Sequence, residues 1–232
     1  MHLPLSKRLQ VCCNFIIPGD RVADIGCDHG YLGLHLLQTG VAASVIAADV
    51  REGPLQCAVR NADKYGLKDK MEFYLSDGVQ SIPRDFDVMV CAGMGGDTMI
   101  SILEAAPWLQ DKKYRLVLQC QSKTPMLRQY LSEHGWRIAE ETVLRDGRFL
   151  YTVMEVWFQP DYPRLTVGQY HFPPALLNDS TPELPEYYGR IVFSLNRTLQ
   201  YQQDEQLSAA LNELNALAGE YPWLKEEHHD NS

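Results

Sequence analysis

"ADIGCDHGYL", residues 23–32, is the stretch on which the fold turns. It reads as the end of an apolar strand, a turn carrying Gly26 and Gly30, and the start of a helix, which is the first βα turn of a nucleotide-binding sheet. Phosphate-binding turns of this kind offer backbone N–H groups, a helix N-terminus and often a lysine. Here the full GxGxxG pattern and the lysine are missing, and Asp24 and Asp28 would repel a pyrophosphate. A cationic ligand reverses that argument. S-adenosylmethionine (SAM) carries a positive sulfonium, a positive α-ammonium and a carboxylate that a helix N-terminus can accept. Gly26, without a Cβ, lets the backbone approach such a ligand closely.

Around this turn, strand-like runs at 21–26, 44–50, 71–77, 86–93 and 114–120 alternate with helical ones at 30–38, 53–66, 97–104 and 124–135. Pro54 and Gly66 punctuate the second helix. The last of the four has Thr124 as expected N-cap, Pro125 at its first position and Gly135 as C-cap. The run 86–93 is continuously apolar, as in a central strand buried on both faces. The rhythm then changes: 136–144 and 149–158 are strand-like runs joined through Asp146-Gly147, a hairpin signal. A dehydrogenase-type sheet would continue with a parallel sixth strand. Five βα repeats closed by an antiparallel hairpin instead predict an α/β, Rossmann-like, seven-stranded SAM-dependent methyltransferase domain over residues 1–158.

A proline-rich boundary begins at "FQPDYPRLTVG" (158–168). Residues 159–232 are expected to form a C-terminal α-helical coiled-coil extension. Tyr188, Ile191, Leu195 and Leu199, then Leu207, Leu211, Leu214 and Leu217, recur at helical spacing. An antiparallel hairpin turning near 203–205 is preferred to one long helix, because a lone amphipathic helix cannot bury its stripe. The tail 225–232 reads as disordered, and His228-His229 as tail composition and not a metal site.

The 232 residues, 45% hydrophobic and 10% aromatic, suffice for one full domain and a smaller appendage. Nothing approaches about 18 consecutive apolar residues, so no membrane span is expected. No signal peptide is read at the N-terminus. The six cysteines include no CxxC and no zinc spacing, so reduced cytoplasmic thiols and no metal are expected. A net charge of −9 argues against coating nucleic acid by bulk electrostatics. It leaves room for a local basic patch from Lys7/Arg8, Arg60/Lys64, Lys112/Lys113/Arg115 or Arg145/Arg148, each of which also reads as an ordinary solvated face.

Acids recur at the strand ends. Asp49 lies 19 residues after Gly30, where an acid grips ribose hydroxyls, unless it is only a surface acid. Asp77-Gly78 ends the third strand, where an acid can accept from an adenine amino group; the alternative is a solvated turn. The fourth strand ends in "CAGMGGD" (91–97), lacking the [DNS]-P-P-[YFW] of exocyclic-amine methyltransferases, which argues against N6 methylation of adenine. Its three glycines fit either close approach of a planar substrate or a tight strand-to-helix turn.

"LSKRL" (5–9), "ADIGCDHGYL" (23–32), "GPLQCA" (53–58), "SDG" (76–78) and "AGMGG" (92–96) together resemble the bacterial tRNA (adenine-22-N1)-methyltransferase family (TrmK-like). The resemblance spans nearly the whole chain, most strongly residues 1–158; the C-terminal helical region reads as shorter than the family's. It implies a SAM cofactor, a tRNA partner, cytoplasmic action as a monomer or weak dimer, and methylation of an adenine N1. By position, Asp24, Gly26, Asp49, Asp77, Gly78 and Gly93 would bind SAM. Asp28 would be the catalytic acid, with a helix N-cap as its structural alternative. Arg8, His29, Tyr31, Met94 and Gly95 would contact substrate, Arg8 at the pocket mouth meeting either phosphate or the SAM carboxylate, with Gly93 to Gly95 forming a loop beside the base. Two rivals remain: a SAM methyltransferase of small molecules or proteins, and a non-catalytic SAM-fold interaction module.

Overall fold

The structure, a computed structural model, describes residues 3–225. The tail read as disordered, with His228-His229, lies outside the described residues except for Lys225. Seven strands form one sheet: β1 (Arg21–Ile25), β2 (Ser44–Asp49), β3 (Met71–Leu75), β4 (Val88–Gly95), β5 (Arg115–Ser122), β6 (Trp136–Asp146) and β7 (Phe149–Phe158). Their order is β3-β2-β1-β4-β5-β7-β6, parallel through β5, with β7 antiparallel to both β5 and β6. The chain runs outward from β1 to β3 and then returns to place β4 on the other side of β1. That reversal leaves a crevice above the C-terminal ends of β1 and β4, the usual ligand position in such sheets.

Both faces of the sheet are apolar, which is why its central strands read as unbroken hydrophobic runs. In β4, Met89 and Cys91 point into one core layer, under α4 (Gly96–Glu104) and α5 (Thr124–Glu133). Val88 and Val90 point into the other, under α1 (Lys7–Cys13), α2 (Tyr31–Gln38) and α3 (Glu52–Lys64). The hairpin signal is realised as a two-residue loop, Gly147-Arg148, with Asp146 paired to Phe149 and Gly147 at φ 60°.

Thr124 is not the N-cap of α5. Lys123 holds that position, in left-handed backbone at φ 60°, and Thr124 is the first helical residue. The β5–α5 turn is pressed against the start of α4: a Cβ on Gly96 would lie 2.8 Å from the Lys123 carbonyl oxygen, and Lys123 Nζ pairs with Asp97 at 3.1 Å. Tertiary packing therefore sets the cap here, against the local Thr-Pro signal.

The proline-rich segment holds α6 (Val167–His171), opened by a capping box between Thr166 and Gln169. α7 (Leu184–Leu199) and α8 (Glu205–Glu220) then fold back as the expected hairpin, α8 capped by the Asp204 side chain. The buried stripe of α8 is Ala210, Leu214 and Ala218, with Leu207, Leu211 and Leu217 only half-buried. It is rotated from the leucine stripe because α8 also packs on α6. Val143 of β6, Phe172 and Leu176 join this cluster, so the hairpin is seated on the sheet domain. Arg128 on α5 fastens it: fully buried, it donates to both carboxylate oxygens of Glu141 (2.6 and 3.2 Å), to the Tyr187 hydroxyl (3.1 Å) and to the carbonyls of Tyr170 and His171 (3.2 and 2.7 Å). Among the described residues, no helix is long and apolar enough to cross a membrane and no acid, cysteine and histidine cluster could hold a metal.

Candidate functional site

A cleft of about 480 Å³ opens above the ends of β1, β2 and β4. Its floor is the 23–32 turn. The N–H groups of Gly26 and Cys27 both donate to the Ala48 carbonyl (2.8 and 2.9 Å), bending the chain sharply after β1. Gly26 sits at φ 73°, and a Cβ there would collide with the Met94 methyl group. Gly30, at φ 72°, is the cap residue of α2. Asp28 is left-handed at φ 49°, a conformation that aspartate tolerates better than most residues but that remains strained. Its N–H donates to Asp49 Oδ2 at 3.1 Å. Its carboxylate is 59% exposed at the cleft, 3.5 Å from His29 Nε2, and caps no helix. The N-cap reading of Asp28 is thus ruled out by Gly30.

Asp24 lies deeper, buried, with Oδ2 lacking any hydrogen-bond partner among the described residues. Burial pushes its carboxyl up to about 7, Asp49 adding to the rise while a main-chain N–H of Gly33 opposes it. An orphaned carboxylate oxygen in the wall of a cleft calls for a cationic donor, and the α-ammonium of SAM is one. Asp49 is fixed by the N–H groups of Asp28 and of Arg51 (2.9 Å) on its two oxygens, each of which keeps a lone pair for a hydroxyl. Gly78, at φ 55°, lies where a Cβ would be 3.0 Å from Ile102, and its carbonyl accepts from Ser76 Oγ at 2.9 Å. The acids Asp24, Asp28, Asp49 and Asp77 all line the cleft, with Arg8 and Arg51 as its cations. That set fits SAM group by group: acids for the ammonium, ribose hydroxyls and adenine amine, and Arg8 for the carboxylate.

A pH dependence follows. An ammonium held at Asp24 would need that carboxyl ionised, so SAM affinity measured by calorimetry is expected to weaken progressively, approaching about tenfold per unit, as pH falls below about 7. The sign for stability is opposite: the folded pKa lies above the unfolded one, so in the SAM-free protein proton binding by Asp24 stabilises the fold at low pH. That contribution is lost as pH rises from the unfolded value of 3.8 through about 7. Invariant SAM affinity between pH 6 and 8 would count against Asp24 as the ammonium partner.

Of the residues expected from the sequence, Arg8, Asp24, Gly26, Asp28, Asp49, Asp77, Gly78, Gly93 and Met94 meet in this cleft. His29, Tyr31 and Gly95 do not line it. His29 and Tyr31 pack together on its outer lip, ring centroids 5.8 Å apart. Gly95 is the cap of α4, with a Cβ position 2.8 Å from Asp97 Oδ1. Nor is 93–95 a free loop: β4 runs to Gly95, and register shifts on either side of Met94 leave Gly93 bulged at φ 84°. The sequence reading missed Val50, Arg51, Ile102, Gln119 and Gln121, all of them cleft-lining. Val50, an apolar residue left 63% exposed directly after the strand-end acid, was the legible one. Arg115 leaves the basic patch, since it is buried between Asp20 and Glu155.

The doubly wound sheet closed by a hairpin and the acid-lined cleft at its switch point define a SAM-dependent methyltransferase. Residues 5–154 match the family described as a methyltransferase domain. The chain belongs to the TrmK-like family of bacterial tRNA methyltransferases. It is 33% identical over 154 residues to the tRNA (adenine(22)-N(1))-methyltransferase of Bacillus subtilis, an alignment covering 66% of this chain and 65% of that protein. It is 32% identical over 224 residues to a putative tRNA methyltransferase of Mycoplasma pneumoniae, covering 90% and 100%. A putative tRNA (m1A22) methyltransferase of Streptococcus pneumoniae, solved with SAM, superposes with a TM-score of 0.81 at 29% identity, covering 92% of this chain and 99% of that one.

Proposed function

We propose that the protein transfers a methyl group from SAM to N1 of an adenine in tRNA, at position 22 by kinship with the Bacillus subtilis enzyme. The observation that carries the reading is the Asp28 carboxylate: strained in its backbone, bonded to no helix end, and exposed at the mouth of a cleft that suits SAM. Residues 1–158 carry the chemistry, and the described part of the C-terminal region, residues 159–225, forms the helical extension. The protein acts in the cytoplasm, as a monomer or weak dimer.

When bound, SAM supplies an electrophilic methyl group on a sulfonium. Adenine N1 has an in-plane lone pair, so no general base is required and the chain's task is positioning. Asp28 accepts from the 6-amino group, orients the N1 edge and offsets the positive charge that grows on the base. Asp24, Asp49 and Asp77 hold the ammonium, ribose and adenine of the donor, and Arg8 its carboxylate. N1 lies on the Watson–Crick edge, so the nucleotide must be turned out of its stack to reach Asp28.

Recognition of the rest of the tRNA falls to phosphate contacts and shape. From the cleft, Arg8 stacks over Tyr151 (5.4 Å), Tyr151 neighbours Phe149 (6.0 Å), Arg148 stacks on Phe149 (4.9 Å), and Arg190 of α7 donates to the Arg148 carbonyl (3.2 Å). This is an arginine and aromatic track in which Arg8 is paired with Asp146 (2.8 Å) and Arg190 with Glu186 (2.7 Å), while Arg148 stacks on Phe149. Arg148→Glu with Arg190→Glu is expected to weaken tRNA binding at least tenfold at low salt and to flatten the salt slope by about 1 for each phosphate no longer neutralised. SAM affinity should be unchanged; an unaltered slope would remove the track from the interface. The reading as a whole is tested by nucleoside mass spectrometry of tRNA incubated with protein and SAM. 1-Methyladenosine is expected, and methyl label found only in protein or small molecules would overturn it.

A further inference from the structure

Gln119 is fully buried in β5, in a run whose neighbours Leu118 and Cys120 are apolar. A buried amide is kept only where its polar atoms are satisfied. Its Nε2 donates to the Cys120 carbonyl at 3.1 Å, on its own strand, which aims Oε1 away from that strand toward the cleft it lines. Oε1 accepts the Gly93 N–H at 3.1 Å and faces Arg8 Nη1 at 3.5 Å. Gly93 is the bulged residue of β4, where pairing with β5 slips between Ala92 and Met94. Arg8 comes from α1 on the other wall, its Nε held at 2.8 Å by Asp146 from the end of β6. One amide oxygen therefore touches two walls of the cleft, and the bulge would otherwise leave a backbone N–H unpaired.

We propose that Gln119 is a positioning residue of methyl transfer: it fixes the Gly93 bulge and the Arg8 guanidinium in register, so that the rim beside Met94 and the cation at the mouth keep one spacing. This rests on the reading of the cleft as a SAM site. Gln119 needs no contact with the reacting atoms. Only a side chain that both donates to Cys120 and accepts from Gly93 can do this. Methionine has the volume but neither function. Glutamic acid reproduces both when protonated and loses the donor when ionised.

Gln119→Met is expected to expose the Gly93 amide, raising its hydrogen-exchange rate at least tenfold in the SAM-free protein, and to lower both SAM affinity and kcat by about tenfold or more. Gln119→Glu is expected to approach wild type at low pH and to show an alkaline fall in activity that the wild type lacks. The proposal is overturned if Gln119→Met alters only the melting temperature, with Gly93 exchange, SAM affinity and kcat within twofold. Should the Met variant not fold, the Glu variant decides alone, and a wild-type-shaped pH profile overturns the role. Wild-type protein is the reference: if it binds no SAM by calorimetry, the cleft reading falls, whereas an active wild type with unresponsive variants removes only Gln119's role.

Discussion

Asp28→Asn is expected to lower kcat for tRNA methylation about 100- to 1000-fold, the size typical of losing one charge-stabilising group aimed at the transition state. SAM affinity should stay within about threefold. Asparagine shares aspartate's tolerance of left-handed backbone, so the φ of 49° and the N–H bond to Asp49 survive. What changes is the charge and one acceptor oxygen. In the free protein the carboxylate is exposed, and water screens it. It gains strength once the RNA covers the mouth and the dielectric falls, which is when positive charge grows on the base. Asp28→Gly is the companion variant: it relieves the backbone strain, so its folding stability should equal or exceed wild type while activity is lost to the same extent. A split of kcat from SAM binding marks the group as acting on the substrate. Either variant turning over near the wild-type rate would refute the role.

The features legible in the sequence were those that local chemistry enforces. The alternation of Val88 and Val90 with Met89 and Cys91 across two apolar layers produces an unbroken run, and the run announces a central strand. Gly26 and Asp49 sit at strand ends whatever packs above them, so their positions could be read from the pattern. Gln119 could not be placed this way, because its meaning depends on a slip in register between β4 and β5, far apart in sequence. The strand-like run read from the sequence stopped at Gly93, whereas β4 continues through Met94 to Gly95 across that slip. Arg115 closes a visibly basic run, but Asp20 and Glu155, 95 residues before and 40 after, bury it. Thr166 and Gln169 were a capping signal in plain view, masked by the prolines around them.

Glu141→Ala is expected to destabilise the protein by about 3–5 kcal/mol, because it strands the Arg128 guanidinium in the core with a charge that nothing else neutralises. Both side chains of this pair are 0% exposed. Burial alone works to pull the Arg128 pKa down, and Glu141 beside it more than reverses this, leaving it above the ordinary arginine value. Arginine does not shed its proton, so the variant keeps the charge and bears the desolvation penalty. For a domain of this size the loss corresponds to a fall in Tm of roughly 6–20 °C. Replacing both partners, Arg128→Met with Glu141→Leu, should recover most of that loss, since an apolar pair of similar volume removes the stranded charge. The recovery would be incomplete in one respect. Arg128 also donates to Tyr187 and to the carbonyls of Tyr170 and His171, which is how β6 and α5 grip α6 and α7. The double variant should therefore fold stably yet be cut faster by proteases between α6 and α7, and bind tRNA more weakly with SAM affinity unchanged. A Tm for Glu141→Ala within 2 °C of wild type would show that the pair is not the clasp its geometry describes.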